Sequence, residues 1–277
     1  MDTNFKINNG YLSSYEGNDK IVTIPEDVTF IKYHTFEYCT SLKKIIISNN
    51  VKTIEICFTS GCVNLEEIHL GRSVADLKSS VFNNIKNLAK ITCDKDNPNF
   101  ASDEYGALYS KDFKTLIFVP INIKLKSYRV SPKTQIIGPG AFANNNLEEV
   151  ILNEGIIEIG KEAFAHSHIK DIKLPKSLKR IKAEAFSGIN IPSIYLPDGV
   201  EEVGAQAFIG IKDIYLEGTI KSGFIKDSYR EVENDHPFSY YGYGGSSTST
   251  EHTPGWLATF QTVHENIPYE EYLKLRR

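Results

Sequence analysis

The stretch "DIKLPKSLKRIKAEAF", residues 171–186, stands between two near copies of itself, "EVILNEGIIEIGKEAF" at residues 149–164 and "SIYLPDGVEEVGAQAF" at residues 193–208. Working outward from the apolar pair of its I-x-L motif, equivalent positions recur at Val22, Ile45, Ile68, Ile91, Tyr128, Val150, Ile172, Ile194 and Ile214. Their spacings are 23, 23, 23, 37, 22, 22, 22 and 20 residues. A second series keeps step with the first, because Phe36, Phe58, Phe82, Phe142, Phe164, Phe186 and Phe208 each close one phrase, mostly after a small residue such as Ala141, Ala163, Ala185 or Ala207.

A unit of about 22 residues cannot bury its own apolar face and must stack on its neighbours, which defines a solenoid. Within each unit I-x-L alternates as a short strand with one side on the core. A turn former follows (Pro25, Pro175, Pro197), then a second apolar pair (Val28 and Ile31, Leu178 and Ile181, Val200 and Val203). The Phe phrase leads into a short turn or helical turn. The expected fold is a repeat solenoid, mostly β with short helical turns, of about nine coils, with a hairpin insert and a C-terminal cap. Its expected organisation is an N-terminal cap over 1–20, the solenoid over 21–221, a polar loop over 222–255 and a helical cap over 256–277.

The 37-residue spacing leaves about fifteen extra residues between Ile91 and Tyr128. Over about 97–120, the apolar runs Tyr105–Tyr109 and Leu116–Val119 flank "SKDFK" and read as a hairpin, either a spacer or a projection that meets a partner. From about Ser222 the period stops in a Tyr-, Gly- and Ser-rich stretch. Pro268 then opens a short helix, and Trp256 and Phe260 join it as candidates to cover the last coil.

"LKKIIISNNV" from Leu42 and "LEEIHLGRSV" from Leu65 fit the general leucine-rich pattern, with Asn50 and Ser73 in its polar slot. The repeat "VTIPEDVTFIKYHTFEYCTSLKKI" (22–45), the preceding "NNGYLSSYEGNDKIVTIP" and the insert "NPNFASDEYGALYSKDFKTLIFVP" together resemble the BspA-like leucine-rich repeat family, over about Asn8 to Glu217. The resemblance implies a right-handed leucine-rich repeat solenoid without enzymatic activity. It implies a protein on or outside microbial cells, of the adhesin type, that binds a protein partner, with host or cell-surface proteins and glycans among the candidates. The N-terminus shows no apolar signal-peptide core, so a native Met1 would place the chain in the cytoplasm instead.

Composition narrows the alternatives. The net charge is -4 and the pI near 6.0, with both signs interspersed, so no basic stripe offers the phosphate contacts of a nucleic-acid binder. No run approaches the roughly 18 apolar residues of a membrane span. The four cysteines all fall in repeat core slots, where a thiol behaves as a small hydrophobe. Cys39 and Cys62 stand three residues before the core leucines Leu42 and Leu65, Cys57 stands in the small slot before Phe58, and Cys93 stands where other coils have Leu152 and Leu174. A Cys39–Cys62 bridge across adjacent coils stays open. His166 and His168 have no third ligand nearby, and "DKDNPN" from Asp94 lacks the later residues of a calcium loop. His236, His252 and His264 read as ordinary polar residues in or near the tail. No metal, no cofactor and no catalytic constellation is expected.

Alternation along the strand turns the residue between each inward pair outward. Stacking then builds a ribbon of Thr23, Ile46, His69, Thr92, Arg129, Ile151, Lys173, Tyr195 and Tyr215. The candidate binding residues are Ile46, His69, Arg129, Ile151, Lys173, Tyr195 and Tyr215, an apolar and aromatic series with a charged rim. The competing reading is that Ile and Tyr simply suit exposed strands. A different function class has the chain as an assembly component that docks onto a larger complex, or onto another copy, through its C-terminal tail.

Overall fold

The computed structural model describes residues 4–78, 81–82, 85–218 and 262–276 of the 277. The segment 222–255, with His236 and His252, lies outside the described residues, as do Trp256 and Phe260. The chain winds as stacked coils that carry two separate parallel ladders. The face ladder holds the I-x-L strands, first Ile21–Thr23, Lys44–Ile46, Glu67–Leu70 and Lys90–Cys93, then Ser127–Arg129 and Glu149–Ile151, then Ser193–Leu196 and Asp213–Leu216. Partners across it are the repeat equivalents, such as Val22, Ile45, Ile68 and Ile91, each at most 3% exposed. In the Ile172 coil the ladder thins to a single bridge between Glu149 and Asp171.

The second apolar pair also forms strands, of two residues each, from Phe30–Ile31 through Thr53–Ile54 to Asp76–Leu77, and again from Ile136–Ile137 to Glu202–Val203. An antiparallel hairpin, Phe5–Asn8 with Tyr11–Tyr15, starts this second ladder by laying Tyr11 and Leu12 parallel to Phe30 and Ile31.

The Phe phrase forms no helix among the described residues. It turns through two left-handed corners four residues apart, seen at His34 and Tyr38, Cys57 and Gly61, Gly140 and Asn144, Glu162 and His166, Glu184 and Gly188, Gln206 and Gly210, with φ between 52° and 96°. Left-handed backbone interrupts the run of αR residues that a helix needs. In the C-terminal coils the rings between the corners stack: Phe142 on Phe164 at 4.8 Å, Phe164 on Phe186 at 5.2 Å and Phe186 on Phe208 at 5.8 Å, within 13° of parallel.

The second coil departs from this register. The Phe36 N–H donates to the carbonyl of Phe58 at 2.7 Å, whereas the Phe142 N–H donates to that of Ala163 at 2.7 Å. Phe58 therefore occupies the small-residue slot and buried Thr59 the Phe slot. Cys57 moves from its expected core slot to the left-handed corner, at φ 52°. The Phe58 ring meets Phe36 edge-on at 6.5 Å instead of stacking.

A side chain at one second corner can cover the glycine of the next. A Cβ on Gly188, at φ 69°, would stand 2.4 Å from Nδ1 of His166. Gly188→Ala is expected to cost about 1–2 kcal/mol for the backbone alone, with the clash added. A second substitution, His166→Ala, should return only the clash, which a double-mutant cycle in urea would measure.

The insert is a meander of three strands, Phe100–Ser102, Leu108–Ser110 and Thr115–Phe118, that joins the second ladder by pairing with Ile136–Ile137. The sequence reading found two of these strands, and Tyr105 lies in the turn before the second. Its paired residues divide between the two hydrophobic clusters of the protein. Leu108 and Phe118 pack in the N-terminal cluster, while Tyr109 and Leu116 pack in the C-terminal one. The meander thus joins the two cores through buried Leu108, Tyr109, Leu116 and Phe118, while Tyr105 in its first turn stays exposed.

A polar chain fastens this junction. The Tyr128 hydroxyl lies 2.6 Å from Asp103 Oδ2 and 2.6 Å from the Tyr109 hydroxyl, which accepts from the Ser131 N–H at 3.4 Å. Burial pushes the Tyr109 hydroxyl up to about 12 and raises Tyr128 as well. Both titrate near ~10 when unfolded. Their contribution is therefore complete below about pH 10 and is lost as pH rises beyond it, by up to ~1.4 kcal/mol per pH unit for each tyrosine. Urea unfolding at a series of alkaline pH values should show this decline, and Tyr109→Phe should make it shallower.

Candidate binding face

On the N-terminal part of the face ladder Thr23, Ile46, His69 and Thr92 stand in one row, and Arg129 and Ile151 continue it beyond the insert. Thr23 and Arg129 are exposed, and Ile46, His69 and Ile151 are half-buried. The His69 ring Nδ1 lies 2.9 Å from Thr92 Oγ1, and burial lowers its pKa, so it presents a neutral ring at neutral pH. Beside this row Lys44 pairs with Glu67 at 2.8 Å, while Ser127 donates to Glu149 at 2.6 Å. The result is a mixed row in which Ile46 and Ile151 are the apolar members, flanked by the Lys44–Glu67 pair and the Ser127–Glu149 bond.

The distal part of the same face is covered. Strand Thr262–His264 adds to Asp213–Leu216 in parallel, and the helix Tyr269–Leu275 then lies back across the ladder. Pro268 sits at its N-cap with extended backbone, and Glu270 and Glu271 in its first turn suit the helix dipole. Tyr272 packs at 5.2 Å from Tyr195 and 5.0 Å from Tyr215 and is 2% exposed. Tyr269 stands edge-on to Tyr195 at 5.0 Å and beneath the Lys173 ammonium at 5.0 Å. His264 stacks on Tyr215 at 4.4 Å with Nε2 3.2 Å from Asp213, and Arg276 pairs with Asp171 at 2.8 Å.

Tyr195, expected to point outward into solvent, does leave the coil on that side but is only 7% exposed. Strand Ser193–Leu196 is consequently buried on both faces. Lys173 stays exposed and Tyr215 half-buried, both in contact with the helix or the strand before it. The Tyr195 hydroxyl is buried without a hydrogen-bond partner among the described residues, and burial pushes its pKa up to about 12. Removing an unsatisfied hydroxyl costs little, so Tyr195→Phe should leave the urea midpoint unchanged or raise it.

Of the cysteines, Cys62 is buried and Cys39, Cys57 and Cys93 are half-buried, all as free thiols. Burial pushes the Cys57 and Cys93 thiols up. Asn97 of "DKDNPN" is fully buried, donates to the Gly71 and Val74 carbonyls, and accepts from the Asn99 and Phe100 N–H groups, a structural role at the root of the insert. Among the described residues no group of three or more His, Cys, Asp and Glu could hold a metal ion, and no helix is long and apolar enough to cross a membrane.

The family model of the BspA type leucine rich repeat region matches residues 6–128 and 118–226 in six copies, which span both ladders and the insert. The chain belongs to the BspA-type leucine-rich repeat family. Among solved structures, its fold is similar to that of the pneumococcal vaccine antigen PcpA (24% identity, TM-score 0.57, covering 74% of this chain and 65% of that one). It is also similar to a leucine rich cell surface protein from Faecalibacterium prausnitzii (18% identity, TM-score 0.51, covering 78% and 87%). The chain thus spans just under two thirds of the solved PcpA chain. Comparison with curated proteins found no match.

Two residues of this BspA-type face went unread in the sequence. Ile21 precedes its anchor as Lys44 precedes Ile45, and it is 60% exposed. Tyr105 is 46% exposed and lies at the forward edge of Lys90–Cys93, because the neighbouring Gly106 carbonyl accepts the Ile91 N–H at 3.0 Å. Ile21 was readable from the repeat register. Tyr105 was not, since the insert that carries it has no repeat to align with.

Proposed function

We propose that the protein is a non-enzymatic binding scaffold of the adhesin type, on or outside the cell, which takes a protein partner on the open part of its strand face. The partner would contact Ile46, His69, Arg129 and Ile151, with Ile21 and Tyr105 extending the surface. The observation that carries this reading is that Ile46 and Ile151 stand outward on a stretch of the face that no other described residue covers, next to a distal end that seats a helix. Apolar residues flanked by paired polar groups are the composition of a modest protein interface. Lys173, Tyr195 and Tyr215 belong to the same ribbon but serve the chain's own helix. Family membership and the fold shared with a cell surface protein support the placement outside the cell.

Immobilised full chain, challenged with surface-protein extracts of host cells, tests this. The double variant Ile46→Ser/Ile151→Ser is expected to lose a protein that the parent and a control on the corner side, Tyr38→Ala/Val63→Ala, both retain. Equal retention by all three chains would overturn the assignment of the face. The alternative, docking through the C-terminal tail, rests on the Tyr-rich segment 222–255, which lies outside the described residues; Thr262–His264 and the helix are engaged with the chain's own coils.

A further inference from the structure

Cys39 and Cys62 hold equivalent places in consecutive coils. Each N–H donates to the carbonyl three residues earlier, Cys39 to Phe36 at 3.2 Å and Cys62 to Thr59 at 3.1 Å. Each carbonyl accepts from the core leucine three residues later, Leu42 or Leu65, at 3.2 Å. The turns just before them are bonded directly coil to coil, from the Tyr38 N–H to the Ser60 carbonyl at 2.7 Å. Stacked coils stand about 4.8 Å apart, within the roughly 4.4–6.8 Å of Cα separation that a disulfide spans. The Phe36 carbonyl ties the two together, accepting from the Cys39 N–H at 3.2 Å and from the Cys62 thiol at 2.9 Å. The Cys39 thiol has the Glu37 carbonyl at 4.0 Å.

We propose that Cys39 and Cys62 form a reversible dithiol–disulfide pair, oxidised by low-molecular-weight disulfides, in which Cys39 attacks and Cys62 resolves. The half-exposed Cys39 thiolate attacks one sulfur of the external disulfide and expels the first small thiolate, leaving a mixed disulfide on Cys39. Cys62, after giving its proton to solvent, attacks the Cys39 sulfur and expels the second. Two protein thiols are thereby oxidised by two electrons, and one external disulfide is reduced to two thiols. The roles follow from the surroundings. The half-exposed Cys39 is the more accessible of the two; the neighbouring Cys62 lowers its pKa, whereas Cys39 and burial raise that of Cys62, and the lower, more exposed thiol is the better attacker at neutral pH. Cys57 at a corner and Cys93 on the face ladder are not partners in this contact.

The test is incubation of the full chain with oxidised glutathione, then alkylation, peptide mapping and urea unfolding. Cys39 and Cys62 should become protected together, joined in one peptide pair that dithiothreitol releases. Cys57 and Cys93 should remain alkylated, and the urea midpoint should rise, because the bridge ties the first two coils in the unfolded chain. With Cys62→Ser, Cys39 should accumulate the glutathione mixed disulfide; with Cys39→Ser, Cys62 should not. No internal bridge in the unsubstituted chain, or a bridge between two chains, would overturn the pair. Glutathione captured first at Cys62 would overturn the assigned roles.

Discussion

Phe186→Ala should lower the stability of the solenoid by about 3–5 kcal/mol, the range for emptying a large aromatic site in a packed core. Phe186 is fully buried, with Phe164 at 5.2 Å and 4° on one side and Phe208 at 5.8 Å and 13° on the other. Its flanking backbone is held coil to coil, the Phe186 N–H donating to the Ala207 carbonyl at 2.8 Å, so the site cannot collapse to fill the void. Each coil contacts only its neighbours, so the loss should be felt most between Ala163 and Phe208. Urea unfolding measures the total, and hydrogen exchange locates it. A loss below about 1.5 kcal/mol would mean that the stacked rings repack freely and are not the spine of the C-terminal coils.

Tyr272→Ala should release the C-terminal helix while the coils stay folded. A helix of seven residues lies well below the ~12–15 at which isolated helices become even marginal, so this one exists through its packing. Tyr272 is its buried residue, held between Tyr195 and Tyr215 with its hydroxyl 3.4 Å from Ser193 Oγ. Truncation removes an aromatic contact of about 3–5 kcal/mol, far more than the exposed Arg276–Asp171 pair can supply. The expected readout is fast exchange at the helix amides and at Thr262–His264, with the protection of Ile194 and Ile214 retained. Tyr195 and Tyr215 would then extend the open face to the end of the solenoid. Unchanged protection of the helix would show that Tyr269, His264 and Arg276 suffice to hold it.

The coils were legible because a core slot that recurs every 22 or 23 residues appears many times in one chain. The inward positions of both apolar pairs were readable for that reason, as were the outward positions between them. Local chemistry did not reveal that the short second pair would form a ladder, since two-residue strands carry no period. The slip at Phe58 was hidden because a phenylalanine suits either the small slot or its neighbour, and only the hydrogen bond from Phe36 decides. The covering of Tyr195 by Tyr272 joins residues far apart in sequence across a segment without repeats. For that contact the aromatic residues of "PYEEYLKLRR" were visible, but their destination was not.

The corner pairs also set where the coil can change length. Twelve residues separate Val22 from His34, Ile45 from Cys57, Tyr128 from Gly140, Val150 from Glu162, Ile172 from Glu184 and Ile194 from Gln206, and four more reach the second corner each time. In these six coils what distinguishes a 23-residue coil from one of 22 or 20 lies after that corner: seven residues from Tyr38 to Ile45 and from Gly61 to Ile68, six from Asn144 to Val150, from His166 to Ile172 and from Gly188 to Ile194, and four from Gly210 to Ile214. Each of these coils is thus a sixteen-residue hook of constant length joined to the next by a spacer of variable length. Residues can be added to or removed from that spacer while every face strand keeps its register, whereas one residue lost inside the hook would turn a core side chain outward. Cys39 and Cys62 sit in the adjustable part, and the strand face does not, so the shape that a partner meets is insulated from changes in coil length.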